Sequence, residues 1–440
     1  MNEDIKSEIT EFYFKNKDIN ENKIPEDVLF ILKKLKDSGF LTFLVGGCIR
    51  DLLLGWPVRD WDIITDAKPK QIRVVFSKYK TMLIGKSSQT VTTIINHKAY
   101  QISTIRNSSY HGKFNNLDGP YKILTNDLIC RDFTINSICW NQDIGLIDPI
   151  NGIRDLNNKI LHSPNPDLRF KEDPLRMLRA VRIACELSFR ISLQVKKSIH
   201  KNAFLIQFVS PERIKREIIS ILDSPDLKQG MSLLYKFGLE RYILSLDKVK
   251  KVQFNKKVKN KLKLSGLKIL DKDLASKLAF WGRLHYGSCK TATLFYFPVI
   301  ECLRFKKTII ETVRIVLSRE WQKINFSSDI NIRLILAQVG KENSWRIFLL
   351  KKALLIEQNK TAQLEFSKLE EKLLKEEINK KPPLRISELT INGDDLIKMG
   401  LPEGEKIGEI LDIILKKVLI KPYFNQKKYL SKFVQNIINQ

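Results

Sequence analysis

Apolar residues recur at helical spacing through Pro25 to Gly39 (PEDVLFILKKLKDSG), and the pattern stops at a glycine, which predicts a helix with a C-terminal glycine cap. The period then shortens. Phe40 to Val45, Trp61 to Thr65, Thr90 to Ile95, Tyr100 to Ile105 and Ile144 to Ile147 are short β-branched or aromatic runs between turn residues, and each predicts a strand. Helical stretches at about Pro69 to Tyr79 and about Asp132 to Trp140 lie among them, so the first 150 residues predict an α+β unit around one sheet. After Asn151 the strand pattern ends. From Asp173 onward the spacing predicts helices over Pro174 to Leu187, Pro211 to Leu222, Leu227 to Phe237, Ile309 to Leu317, Ile330 to Val339, Ser344 to Lys375 and Gly404 to Leu419. Pro382-Pro383 marks a break before a last helical piece.

With 440 residues the chain exceeds one ordinary core, and several packed units are expected. The 76 Lys and Arg against 49 Asp and Glu leave a net charge of +27, which points to a polyanionic partner, because each neutralised phosphate releases a counterion. Lys248 to Lys263 holds eight of those lysines with a single aromatic, Phe254, and reads equally as a solvated face. The six cysteines are scattered without a CxxC pair and the five histidines are dispersed, which argues against a protein-held zinc and for reduced thiols. Met1 to Asn20 mixes acids with lysines, unlike a secretory or transit segment, and no apolar run is long enough to span a bilayer. A cytoplasmic location with no membrane partner is the expectation.

The sharpest chemistry lies in Val45 to Thr65, VGGCIRDLLLGWPVRDWDIIT. It reads as a strand end, two glycines, a short helix, a turn and a second strand carrying Asp60 and Asp62. Strand residues two apart point the same way, so the two carboxylates are expected on one face. Paired anionic oxygens suit Mg²⁺, which accepts carboxylates together with phosphates and water, and two such ions can serve nucleotidyl transfer. Gly46 and Gly47 let a triphosphate approach the backbone at the N-terminus of the helix beginning near Cys48, and Arg50 adds a fork of donors. DxD alone also occurs in turns and solvated edges; following a GG pair at this distance, it is far more specific.

Four segments, VGGCIRDLLLG with DWD (45–62), DLICRDFTINSI (127–138), LIDPINGIRDLNNKIL (146–161) and RFKEDPLRMLRAVRIA (169–184), resemble the class II tRNA nucleotidyltransferase and bacterial poly(A) polymerase family, most closely its bacterial CCA-adding enzymes. A fainter likeness runs through SPERIKREIISIL (210–222). The resemblance implies an α+β, polymerase-β-like head with a small mixed sheet, followed by an all-α neck, body and tail. These are expected at 25–150, 151–225, 226–350 and 351–440, with the tail binding tRNA. It implies Asp60 and Asp62 as catalytic metal ligands for Mg²⁺, Gly47 and Arg50 as triphosphate contacts, and Arg131 as a further nucleotide contact. Its neck motif falls on Asp173, Arg176, Arg179 and Arg182. The implied function is addition of CCA to the 3′ end of tRNA from CTP and ATP without a template. A poly(A) polymerase, an enzyme adding only CC or only A, and a silent RNA-binding relative remain as alternatives.

Read physically, EDPLRMLRAVR places Pro174 at a helix start with Asp173 before it, a capping position. The sharper role is base reading: a carboxylate paired with a guanidinium accepts the amino-donor and ring-acceptor edge of C or A and rejects U and G. Residues three apart face similarly, which groups Asp173 with Arg176, while Arg182 lies on the far side of the helix and also suits an ion pair. Three places depart from the family pattern. Gln101 stands where a third acidic residue is usual, Cys130-Arg131 replaces a doubled arginine, and Gly85 to Thr90 (GKSSQT) lacks the usual histidine-glycine pair. Asn107 to Asn126 occupies the place of the family's flexible loop, at a length suited to the switch from C to A addition.

Overall fold

The structure is a computed structural model that describes residues 19–83, 89–106, 120–244, 264–270, 273–286, 289–318 and 326–438. Gly85 to Ser88, most of Asn107 to Asn126 and all of Lys248 to Lys263 lie outside the described residues.

Seven strands form one sheet: β1 (Thr42–Val45), β2 (Asp62–Thr65), β3 (Lys80–Leu83), β4 (Thr90–Ile95), β5 (Lys98–Thr104), β6 (Cys139–Asn141) and β7 (Gly145–Ile147). Their order is β3-β4-β5-β2-β1-β6-β7. The sheet is mixed, because β2 runs parallel to β5 while its other neighbour, β1, is antiparallel. The β4–β5 hairpin turns on Asn96 and His97, both at positive φ (47° and 63°), the backbone twist that two-residue hairpins require and that Asn tolerates well.

Both faces of the sheet are covered, which explains why β1 reads as an unbroken apolar run, TFLV, rather than an alternating one. Leu44, Ile63 and Ile102 pack with Val28, Ile31 and Leu35 of α1 (Glu26–Asp37). Also in that core are Cys48 and Ile49 of α2 (Gly47–Leu54) and Ile72 of α3 (Pro69–Val75). Phe43, Val45 and Ile64 face the other way, against Leu124 and Leu128 of α4 (Pro120–Ile129). Each fully buried Ile or Leu contributes roughly 1.5–3 kcal/mol, so the site's supporting strands are held from both sides.

The expected helix over Asp132 to Trp140 is not there. Thr134–Asn136 is a 3-10 turn and Cys139–Asn141 is strand β6. Two side chains intercept the backbone, Asp132 accepting from the N–H of Phe133 and Ser137 Oγ donating to the Phe133 carbonyl, while Thr134 Oγ1 donates to the Asp155 carboxylate. Pairing with β1 then takes Cys139 and Trp140. Gly152 packs so closely on this turn that a Cβ would stand 2.2 Å from the Thr134 carbonyl oxygen. Strand also persists past Asn151, since β8 (Ile160–Leu161) and β9 (Arg190–Ile191) form a short parallel pair.

After the sheet come α5 (Gly152–Asn157), α6 (Pro166–Glu172), α7 (Leu175–Leu187) and the helix Leu193–Asn202. Asp173 is extended (φ −145°, ψ 97°) and Pro174 caps α7, so the EDP run breaks one helix and starts the next.

Two compact units divide the chain, one comprising Met1–Val209 with Lys236–Leu239, the other Ser210–Tyr235 with Glu240–Gln440. The second is helical among its described residues. Pro211–Leu222 and Leu227–Phe237 span the ranges their spacing predicts. Ser344 to Lys375 is not one helix. Asp329–Glu357 and Thr361–Lys380 are separate, parted at Asn359 with φ 54°, and the first is itself broken at Gly340 (φ 79°). Arg333 joins three segments of this unit. It pairs with Glu377 at 2.7 Å and donates to the carbonyls of Leu419 and Ile420 at the end of Glu405–Ile420. No helix among the described residues is long and apolar enough to cross a membrane.

Candidate active site

A cavity of about 290 Å³ opens within the first unit, where β2 and β5 meet the end of α4 and the α6–α7 junction. Its lining includes four aspartates, Asp62, Asp127, Asp132 and Asp173, and four arginines, Arg106, Arg131, Arg176 and Arg179. Such a lining suits a ligand that carries both negative charge and hydrogen-bonding edges.

Asp62 begins β2, whereas Asp60 stands in the segment without regular structure just before it rather than in the strand. The Asp62 carboxyl is raised above its ordinary range by burial first. Arg131 pulls it down, the neighbouring Asp60 charge pushes it up and Arg179 pulls it down again. Part of the side chain still meets solvent, consistent with its place at the rim of the cavity. Gln101 is the register partner of Asp62 across the parallel β2–β5 pair, so their side chains project from the same face of the sheet.

Gly46 caps α2 at φ 85°, a conformation that side-chain-bearing residues rarely adopt. It brings the helix start against the site: a Cβ there would lie 3.6 Å from Arg131 Nη1 and 3.7 Å from Asp62 Oδ2. Arg50 folds back over Gly47, pairs with Asp51 at 2.7 Å and donates to Asn136 Oδ1 at 2.9 Å. Arg131 pairs with Asp127 at 3.1 Å, and Asp127 also accepts the N–H of Arg106.

On the opposite wall Asp173 Oδ1 accepts the N–H of Leu175 at 3.2 Å, the capping contact that its position before Pro174 allows. Arg176 donates to Glu172 Oε2 and to the Arg169 carbonyl. Arg179 grips Asp132 Oδ2 through Nε at 2.8 Å and Nη2 at 2.6 Å. Burial pushes the Asp132 carboxyl up, but Arg179, Asn136 and Arg176 outweigh it and hold the group below the ordinary carboxylate range. Arg182 pairs with Glu186 one turn on, at 2.9 Å.

The cavity thus brings together Asp62, Arg131, Asp173, Arg176 and Arg179, while Asp60, Gly47, Arg50 and Arg182 are not part of its lining. Reasoning from sequence did not single out Asp127, Asp132, Asn136 or Arg106. The signal was available in DLICRD, where Asp127 and Arg131 sit four apart at a helix end and present an ion pair. Among the described residues no group of three or more His, Cys, Asp or Glu is arranged to hold a metal ion. Two electrostatically coupled carboxylates, Asp60 and Asp62, beside an arginine-lined opening are nevertheless a fitting donor set for a hard cation whose remaining ligands come from phosphate and water.

Comparison with known proteins agrees with this architecture. Residues 42–162 match the Poly A polymerase head domain. Residues 188–246 match the model described as "Probable RNA and SrmB- binding site of polymerase A", and 304–434 match tRNA nucleotidyltransferase domain 2. The chain belongs to the class II tRNA nucleotidyltransferase and bacterial poly(A) polymerase family. Its full-length likeness is to bacterial CCA-adding enzymes. That of Ligilactobacillus salivarius is 29% identical over 433 residues, covering 95% of this chain and 98% of the relative. A CC-adding tRNA nucleotidyltransferase from Halalkalibacterium halodurans is 35% identical over 222 residues, 50% of this chain and 55% of that protein. In fold the chain resembles the Bacillus stearothermophilus CCA-adding enzyme solved in complex with CTP (TM-score 0.72, 24% identity, 94% and 97% of the two chains). It also resembles the Thermotoga maritima enzyme complexed with tRNA (TM-score 0.67, 19% identity, 96% and 99%).

Proposed function

We propose that this protein adds CCA to the 3′ end of tRNA, taking CTP and then ATP without a nucleic-acid template. The observation that carries this reading is the likeness to CCA-adding enzymes along 95% of the chain, combined with a cavity where Asp62 faces a ring of arginines. The charge of +27 supports a tRNA partner, and the helical tail at 351–440 is proposed as part of its binding surface, with head, neck and body at 25–150, 151–225 and 226–350.

In the reaction the 3′ oxygen of the tRNA bonds to the α-phosphorus of the incoming nucleotide as the bond to pyrophosphate breaks. Asp60 and Asp62 would hold Mg²⁺. The chemistry supplied there is acidification of the attacking hydroxyl and neutralisation of the leaving pyrophosphate. Gly47 and the N-terminus of α2 offer backbone to the triphosphate, and Arg50 and Arg131 meet its charge. Asp173 and Arg176 read the base edge, Arg179 supports the nucleotide from the same helix, and Arg182 holds α7 through Glu186.

A CC-adding enzyme matches half of the chain as well as CCA-adding enzymes do, at 35% against 34% identity, which keeps a second reading beside the first, in which extension stops after two cytidines. Incubating the protein with tRNA lacking its 3′ end, Mg²⁺ and each nucleotide singly and together, then sequencing the products, decides between them. Growth to CCA and no further supports the first reading, a stop at CC the second, and no extension refutes both. Asp173→Ala is expected to admit UTP or GTP while total activity falls less. If selectivity survives and stability drops by about 1 kcal/mol, the residue is a helix cap only.

A further inference from the structure

Asn136 closes the 3-10 turn that replaces the expected helix, and its side chain is buried, at 7% exposure, between opposite charges. Its Oδ1 accepts from Arg50 Nη1 at 2.9 Å, and its Nδ2 donates to Asp132 Oδ1 at 3.1 Å. A guanidinium can only donate and an ionised carboxylate can only accept, so the two neighbours fix which way the amide points. The other oxygen of Asp132 takes both donors from Arg179. An unbroken chain therefore runs from Arg50 on α2, through Asn136 and Asp132, to Arg179 on α7.

We propose that Asn136 is a positioning residue for the nucleotide, an amide adapter that sets the guanidinium groups of Arg50 and Arg179 in one fixed relation. An amide suits this position because it presents an acceptor to the cation and a donor to the anion. An aspartate would keep the Arg50 contact but stand against Asp132, and an apolar residue would leave a buried carboxylate and a part-buried guanidinium each short of a partner. Each hydrogen bond in the chain has a charged member, the stronger class of such bonds, so the geometry exists before the nucleotide arrives. This inference rests on the reading that Arg50 and Arg179 meet the nucleotide.

The test compares the full-length wild type with Asn136→Leu, Asn136→Asp and the exchange variant Asn136→Asp/Asp132→Asn, measuring KM for CTP, KM for tRNA, kcat, and Tm. Equilibrium dialysis with CTP alone accompanies the kinetics. Asn136→Leu and Asn136→Asp are expected to raise the CTP KM and Kd about tenfold while the tRNA KM stays within twofold. The exchange variant, which again places an amide donor opposite a carboxylate, is expected to recover most of the loss relative to Asn136→Asp. A merely structural role would lower Tm and leave the CTP constants of the surviving protein alone, and that result overturns the proposal. So does an equal rise in both KM values. If the wild type binds CTP yet extends no tRNA, the proposed function falls while dialysis of the variants still decides the role of Asn136. If it binds no CTP, both fall.

Discussion

Arginines and carboxylates occur in both compact units, but they end in different surroundings. In the first unit four of each border one cavity, and pairs such as Arg131–Asp127 and Arg179–Asp132 keep a side turned to open volume. In the second, Arg333 is 6% exposed and Glu377 1%, and the guanidinium is enclosed by one carboxylate and two carbonyl oxygens. The enclosed guanidinium has nothing left to offer a ligand and acts on the packing of helices. An ion pair along an opening can exchange one partner for a phosphate or a base edge. Composition alone does not separate a site from a scaffold; the completeness of the local hydrogen bonding does.

The comparison breaks most visibly at Asp62 on the rim and its neighbour Asp60. Asp60→Ala or Asp62→Ala is expected to cut nucleotide addition by about a thousandfold, roughly 4 kcal/mol of barrier, with Tm and tRNA affinity little changed. A single-turnover assay beside a filter-binding titration checks this, and near-normal turnover in either variant would remove the metal role from both residues.

The converse holds for the enclosed pair. Arg333→Met takes from the buried Glu377 its buried cation, leaving only the exposed Lys380 at 2.8 Å, and strips the Leu419 and Ile420 carbonyls of their donor; it should cost about 3 kcal/mol of stability, read by denaturant unfolding, while the CTP KM of the folded fraction is unchanged. Arg333→Met/Glu377→Leu should recover much of the loss. A selective effect on CTP would mean that the second unit is not simply scaffold.

His285 sharpens the same contrast through pH. It is buried, stacked on Tyr235 at 4.8 Å beside Trp281, and burial lowers its pKa from 6.5 to about 3. The folded state therefore disfavours the proton, so its contribution to stability is complete above about pH 6.5 and is lost as pH falls towards 3. The loss should reach about 2 kcal/mol by pH 5, and His285→Phe should flatten that slope in a pH series of unfolding curves.

The smallest effect belongs to Gln101. Beside Asp62 it is a neutral neighbour where a carboxylate would bind a hard cation more strongly, so Gln101→Glu should lower the Mg²⁺ needed for half-maximal CMP incorporation a few-fold. Gln101→Ala should change it little. If Glu has no effect and Ala abolishes activity, Gln101 acts as a hydrogen-bonding group instead.

Legibility in the sequence followed the locality of the signal. Thr90–Ile95, Pro211–Leu222 and Leu227–Phe237 carry their own periodicity and boundaries, and they occur where the pattern puts them. Asp132 to Trp140 misled because its apolar spacing is helical, whereas its Asp132 and Ser137 side chains bind the backbone locally and Thr134 is held by the distant Asp155. Strand β3 went unread: Lys80–Leu83 is a short edge strand with Met82 and Leu83 about half exposed, which leaves almost no alternation to detect. At the site, residues carried by a motif were legible. Asp132 and Asn136 were not, since their importance comes from contacts to Arg179 and Arg50, 47 and 86 residues away.

The strand order has a consequence for how the molecule assembles. β3, β4 and β5 form one meander and β6 and β7 a hairpin, each closed by neighbours in the chain, but β2 meets β5 and β1 meets β6 only across long intervening segments. Such distant pairings lose more chain entropy on closure and are the slower ones to form. Asp62 and Gln101 lie on that seam. A refolding chain would acquire most of its local structure before it could bring those two side chains together, so recovery of catalysis would lag behind recovery of secondary structure.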